Sequence, residues 1–191
     1  TLDGTLFPYT TLFRSDRYII TAAGISKGFM NSDQHLIIID DQGKVIQGST
    51  SPSSEYRLHL HIYHQRPDIN AICHAHPPYA TAFALTEIQL PDHILPEVIL
   101  TIGAVPLIPY GTTGTEEIYR HLGEYLPDHQ AFLLARHGAV TLGNNLMEAY
   151  YRLETLEHYA HILLIARQLG PIPELTPHQL ESLKARLISP H

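Results

Sequence analysis

Two short apolar runs, each ending in histidine and then in a residue that stops a strand, constrain the fold more than anything else in this chain. The first is Asn70-Ala-Ile-Cys-His-Ala-His-Pro-Pro78 and the second is Ala131-Phe-Leu-Leu-Ala-Arg-His-Gly138. Both read as buried strands, and residues i and i+2 of a strand share a face, so His74 and His76 can reach one ion. His137 ends the second run and offers a third imidazole. Three neutral imidazoles with an open position suit a catalytic zinc rather than a closed structural one. With the carboxylate of Glu55 these residues outline a candidate metal-dependent active site.

A second His-x-His shows what the spacing alone is worth. His59-Leu-His61 lies in Ser53-Ser-Glu-Tyr-Arg-Leu-His-Leu-His-Ile-Tyr-His-Gln-Arg-Pro67. That stretch opens on a serine cap, carries Glu55 in its first turn and stops before Pro67, so it predicts a helix. On a helix, positions i and i+2 diverge by about 200° and cannot chelate together. His61 and His64 read as surface histidines, and His158 and His161 as surface or packing positions.

The 191 residues fit one domain with a substantial core. Hydrophobic content of 44% and charged content of 16% are those of a soluble globular protein. A formal net charge of −7 without a Lys/Arg cluster argues against a nucleic-acid partner or an anionic membrane surface. No apolar run approaches the roughly 18 residues of a membrane span, and no signal peptide is read. The single cysteine, Cys73, excludes an internal disulfide and fits a reducing cytoplasm. It should face away from His74 on its strand, as a buried apolar thiol.

Residues 1–15 stand apart. Thr5-Leu-Phe-Pro-Tyr-Thr-Thr-Leu-Phe-Arg-Ser15 matches one reading frame of a common sequencing adapter residue for residue. The segment is therefore read as artefactual or non-native, with the natural domain, truncated at its N-terminus, occupying residues 16–191.

From Asp16 the pattern alternates. Arg17–Thr21 and His35–Asp40 predict strands, and Asp40-Asp-Gln-Gly43 a turn into a partner strand at Lys44–Gly48. The Glu55 helix and the His74 strand follow, then a helix over Ala80–Leu85 and a short strand over Ala104–Tyr110. Thr115 caps a helix through Glu124, Ala139–Gly143 pairs back on the His137 strand, and Leu146–Leu169 is a long helix ended by Gly170-Pro171. A last helix spans Pro177–Leu187. This predicts one α/β domain, a largely antiparallel sheet sandwiched by helices.

Three motifs carry a resemblance. Pro52-Ser-Ser-Glu-Tyr-Arg-Leu-His59, Arg66-Pro-Asp-Ile-Asn-Ala-Ile-Cys-His-Ala-His76 and Arg136-His-Gly-Ala-Val140 resemble, in order, those of the class II aldolase/adducin family, over about Tyr18 to Leu169. The resemblance implies a three-layer αβα fold, a fourfold homotetramer with the site near subunit interfaces, and zinc, with manganese or cobalt as substitutes. It places metal ligands at His74, His76 and His137, and at Glu55 a catalytic carboxylate that also touches the metal. The implied reaction cleaves a small phosphorylated sugar, a ketose 1-phosphate of the L-fuculose 1-phosphate kind, to dihydroxyacetone phosphate and an aldehyde. The metal stabilises the enediolate, and Glu55 exchanges its protons.

Phosphate is expected on Ser53 and Ser54 at the mouth of the Glu55 helix, and on Gly24. Ala23 stands where the family pattern has threonine, and the family's Gly-Asn-x-Ser loop is missing ahead of Tyr18. Weak phosphate binding or inactivity of this chain follows as an expectation. The tyrosine that protonates the aldehyde side is also missing from Leu95-Pro-Glu-Val-Ile-Leu100, which leaves Glu97 or Tyr110 as candidate acids. Alternatives within the family are a sugar-phosphate dehydratase, a decarboxylase, an epimerase (which has aspartate in place of Glu55) and an adducin-like scaffold without metal. Retention of all three histidines and Glu55 disfavours the scaffold, since a buried polar cluster is costly unless it is satisfied.

Overall fold

In a computed structural model of the chain, residues 9–14, 16–25 and 32–188 are described. The strands are β1 (Tyr9–Arg14), β2 (Arg17–Thr21), β3 (Leu36–Asp40), β4 (Val45–Gln47), β5 (Ala71–Ala75), β6 (Leu107–Ile108), β7 (Ala131–Leu134) and β8 (Gly138–Gly143). They form one sheet in the order β4-β3-β2-β1-β5-β8-β7-β6, antiparallel throughout except for the parallel pair β6 and β7. The helices are α1 (Ser32–His35), α2 (Tyr56–Gln65), α3 (Pro78–Leu85), α4 (Pro96–Thr101), α5 (Glu117–Arg120), α6 (Leu146–Leu169) and α7 (Pro177–Ile188).

Strand alternation divides the core in two. On β5, Ala71, Cys73 and Ala75 join α3, α4 and α6 on one face, while Ile72 joins α2 and α5 on the other. The partner strands sort in the same way: Ala131, Leu133 and Ala139 lie on the α6 side, and Phe132, Leu134, Val140 and Leu142 on the α2 side. Two of those three α6-side residues are alanines, which leave room for a long helix to lie close to the sheet. The expected three-layer αβα sandwich is the fold. Cys73 is buried on the α6 side as anticipated, and burial pushes its thiol up to about 12.

Most elements fall where the sequence places them, and α6 does so because both its ends carry signals. The Asn145 side chain accepts from the Glu148 amide at 2.9 Å, and Gly170 ends the helix with φ 151°. Elsewhere the elements are shorter. The strand expected over Ala104–Tyr110 contracts to two residues, because Pro106 and Pro109 on either side have no N–H to donate to a ladder. The helix expected from Thr115 through Glu124 breaks at His121 into α5 and a 3-10 turn, Leu122–Glu124. α1 and α4 had no counterpart in the sequence reading.

Residues 9–14 of the segment read as non-native form β1, between β2 and β5, with Thr10 opposite both Ile20 and Ile72. Backbone ladders accept any sequence of suitable β propensity, and Tyr-Thr-Thr-Leu-Phe is of that kind.

Candidate metal centre

His74 lies on β5 opposite Val140, and its ring points into the α2 side of the sheet. Its Nδ1 donates to the Ala139 carbonyl at 3.1 Å, which fixes the tautomer and leaves the Nε2 lone pair free. That Nε2 faces the Nε2 of His137 at 3.2 Å. Two nitrogens bound tetrahedrally to one zinc at the usual bond length would be about 3.3 Å apart, so this pair is already at chelating separation.

His76 completes the group. Ligand atoms of His74, His76 and His137 all lie within 4.8 Å of one another. The His76 and His137 rings stack with centroids 4.9 Å apart, and both stand nearly edge-on to His74. His74 is fully buried, His137 partly so and His76 exposed, so the group opens to solvent on the His76 side. Burial holds all three imidazoles below their usual range: His74 well below it, His137 down to about 4 and His76 to a lesser degree. Near neutral pH they are therefore uncharged, the form that binds a metal ion. The Nδ1 of His137 is buried with no hydrogen-bond partner among the described residues.

His137 was expected at the end of a strand. Instead β7 stops at Leu134, and His137 sits in the hairpin turn before β8, with its amide donating to Leu134 O at 3.0 Å. Arg136 takes a left-handed conformation there (φ 57°), and its amide donates to Ala84 O at the end of α3. Gly138 was read only as a strand stop, and the structure gives it a further role. A Cβ at that position would lie 2.4 Å from Ala75 O and 2.5 Å from Cδ2 of His76, so only glycine leaves the ring its place.

Glu55 stands at the N-cap of α2, one residue outside the helix rather than within its first turn. Its carboxylate is not part of the group of ligand atoms lying within 4.8 Å of one another. It lies one helical turn before His59, on the same face, and the His59 ring is 6.2 Å from that of His74. Burial raises the Glu55 carboxyl above the ordinary range, and a long hydrogen bond from the Ser54 hydroxyl (3.4 Å) partly opposes this. Its Oε2 is buried without a partner among the described residues. His59, dismissed at the sequence level as half of a false His-x-His, is a core residue 1% exposed, and burial pushes it down to about 3. Nothing local in the sequence separates it from His61, whose Nε2 meets the Gln65 amide at 2.8 Å. His64 pairs with Asp41 at 2.5 Å. On α6, His158 is exposed and His161 stacks on Tyr79.

The residues read as phosphate contacts are neighbours. The Ser53 amide donates to Thr21 O and the Ala23 amide to Ser51 O, which sets Gly24 (φ 70°) beside the mouth of α2. Glu97 is exposed in the first turn of α4 and Tyr110 is 56% exposed beyond β6. Glu97 lies outside the three-histidine group. No helix among the described residues is long and apolar enough to cross a membrane.

Residues 8–164 match the family described as Class II Aldolase and Adducin N-terminal domain. The L-fuculose phosphate aldolase of Methanococcus maripaludis strain S2 is 34% identical over 150 residues, covering 78% of this chain and 80% of that protein. A 3-oxo-tetronate 4-phosphate decarboxylase of Escherichia coli O6:H1 is 35% identical over 158 residues, 80% of this chain and 73% of its own. A solved L-fuculose 1-phosphate aldolase superposes with a TM-score of 0.84 at 31% identity, covering 97% of this chain and 87% of its own. With the motifs, the three-layer fold and the three-histidine group, these likenesses establish that the chain belongs to the class II aldolase and adducin family, as an enzyme of its metal-dependent, carbon–carbon lyase type.

Proposed function

We propose that the chain is a zinc-dependent aldolase. It would cleave a ketose 1-phosphate of the L-fuculose 1-phosphate kind to dihydroxyacetone phosphate and a small aldehyde, with His74, His76 and His137 as metal ligands. The observation that carries the reading is the Nε2–Nε2 approach of His74 and His137 at 3.2 Å, with His76 beside them. A set of three imidazole donors suits zinc, and manganese or cobalt can take its place. When bound, the ion supplies Lewis-acid stabilisation of the negative charge that develops on the substrate oxygens as the bond breaks.

The chain's own residues do the rest. The His74 hydrogen bond to Ala139 holds one ligand's tautomer and ring plane. Glu55, with its carboxyl raised by burial, holds a proton more readily than an exposed glutamate does. It is suited to deliver that proton to the carbon that loses its bond to the aldehyde fragment and to take it back in the reverse reaction. In this reading Glu55 also comes within reach of the metal when substrate is absent. Ser53, Ser54 and the Gly24 turn bind the phosphate at the α2 mouth. Glu97 and Tyr110 are candidates for the acid on the aldehyde side, and their exposure suits residues completed by a neighbouring subunit of a homotetramer. Residues 1–15 are proposed to be non-native on their identity with an adapter reading frame, and a cytoplasmic location fits the lone buried thiol.

A decarboxylase reading has the 35%-identical relative in its favour, since loss of carbon dioxide from an oxo-acid phosphate leaves the same kind of carbanion to be protonated. The two are separated by assaying a panel of ketose 1-phosphates and 3-oxo-acid 4-phosphates with and without a chelator. Chelator-sensitive release of dihydroxyacetone phosphate supports the aldolase, and chelator-sensitive carbon dioxide release supports the decarboxylase. Turnover that survives removal of all metal refutes both.

A further inference from the structure

Helix α3 begins with two prolines and leaves two amides to be satisfied. Pro77 at the N-cap and Pro78 at the first helical position have no N–H, and the Thr81 amide already donates to Pro77 O at 2.9 Å. The free donors are Tyr79 and Ala80. Both go to one side chain 78 and 77 residues away: Tyr79 N donates to Glu157 Oε1 at 3.0 Å and Ala80 N to Glu157 Oε2 at 2.8 Å. Glu157 is 6% exposed in the middle of α6, otherwise an apolar position. A buried carboxylate is costly unless its oxygens are satisfied, and charge-assisted bonds of this length are the strong kind. One turn further along α6, His161 stacks on the Tyr79 ring at 3.8 Å and 11°.

The other end of α3 is fastened too, through Ala84 O, which accepts from the Arg136 amide at 2.9 Å. α3 thus joins the two segments that carry the outer histidines. His76 lies three residues before Tyr79, and His137 directly follows Arg136. A shift of α3 along its axis would move both.

We propose that Glu157 is a positioning residue for the three-histidine centre: through the amides of Tyr79 and Ala80 it sets where α3 lies, and α3 in turn sets His76 and His137 relative to His74. This rests on the metal-site reading above. No role at the centre is otherwise assigned to α6.

The test uses the full chain with Zn2+, titrated against a chromophoric chelator, and with Co2+, whose visible absorption reports ligand geometry. The variants are Glu157→Gln, Glu157→Asp and, as a matched loss of packing on the same helix, Leu153→Ala. Glu157→Gln turns an N–H donor towards an amide donor. It is expected to weaken Zn2+ by about tenfold or more, within the range for residues that orient metal ligands, and to alter the Co2+ spectrum. Glu157→Asp keeps both acceptors on a shorter stem and should recover part of each, and it gives the comparison if the glutamine variant does not fold. Leu153→Ala should lower the melting temperature while leaving the Co2+ spectrum as in the unmodified chain. The proposal is overturned if both Glu157 variants bind Zn2+ as the unmodified chain does, or if Leu153→Ala reproduces their spectral change. His76→Ala separates the underlying reading, for full Zn2+ affinity in that variant would refute the metal site itself, whatever Glu157 does.

Discussion

Acid should unfold the metal-free protein through His59. Its ring is 1% exposed and its folded-state value is pushed down to about 3, against an ordinary value of 6.5. Below 6.5 the unfolded chain takes up a proton there that the folded chain refuses, so stability present above 6.5 is lost as the pH falls towards 3. At about pH 5 the unfolded imidazole is almost fully charged and the folded one almost fully neutral, a difference worth about 2 kcal/mol from this one residue. That is a sizeable fraction of the roughly 5–15 kcal/mol holding a domain together. The assay is urea unfolding of chelator-treated protein near pH 7 and at about pH 5, for the unmodified chain and for His59→Leu. His74, His76 and His137 are common to both and cancel in the difference. The unmodified chain should lose about 2 kcal/mol more than the variant between the two conditions, a difference of about 1 M in urea midpoint at an m-value of ~2 kcal/mol/M. Equal losses in the two proteins would refute the claim that His59 is held neutral by burial.

Three further outcomes are expected. Glu55→Gln keeps the shape and removes the proton carrier, so kcat should fall by about 10²–10⁴-fold while Zn2+ content measured by elemental analysis is unchanged; undiminished turnover would exclude Glu55 from proton transfer. Gly138→Ala puts a methyl 2.5 Å from Cδ2 of His76, so the ring must move, and Zn2+ affinity should drop far more than the melting temperature does; an intact affinity would show that the ring has room after all. Deleting residues 1–15 removes β1 and leaves facing edges of β2 and β5 unpaired, so the shortened chain should aggregate or lose cooperative unfolding by circular dichroism; a monodisperse, cooperatively unfolding product would show that the β1 position contributes little.

What was legible in the sequence was whatever a few neighbouring residues decide. His74 and His76 could be paired because a strand alternates every second residue and Pro77 marks its end. The end of α6 could be placed because Gly170-Pro171 is a local signal, and the Asn145 cap that the structure shows at its start is local too. What escaped depends on the other side of a contact. Glu157 looks like any glutamate on an amphipathic helix until the amides 78 and 77 residues away are brought to it. His59 and His61 are both helical histidines, and only the stacking of α2 on the sheet buries one fully and leaves the other half-buried. Gly138 reads as a strand stop, but its lack of a side chain matters because the His76 ring, one residue past the end of β5, lies against it. Glu55 was placed near the metal by family motif, and its position at the N-cap follows from where α2 starts, one residue later than the serine cap implied.

The order of the strands also sets a timetable. β5 is flanked by β1, some sixty residues before it, and by β8, a similar distance after it. His137 follows His76 by 61 positions, within the hairpin that introduces β8. A chain still growing from its N-terminus therefore has two of its three imidazoles in place long before the third exists, and a strand with one open flank beside them. Non-local pairings of this kind form late and leave apolar edges uncovered in the meantime. The three-histidine group is therefore incomplete until the hairpin carrying His137 has been made, and the pairing of β8 with β5 brings that hairpin alongside His74.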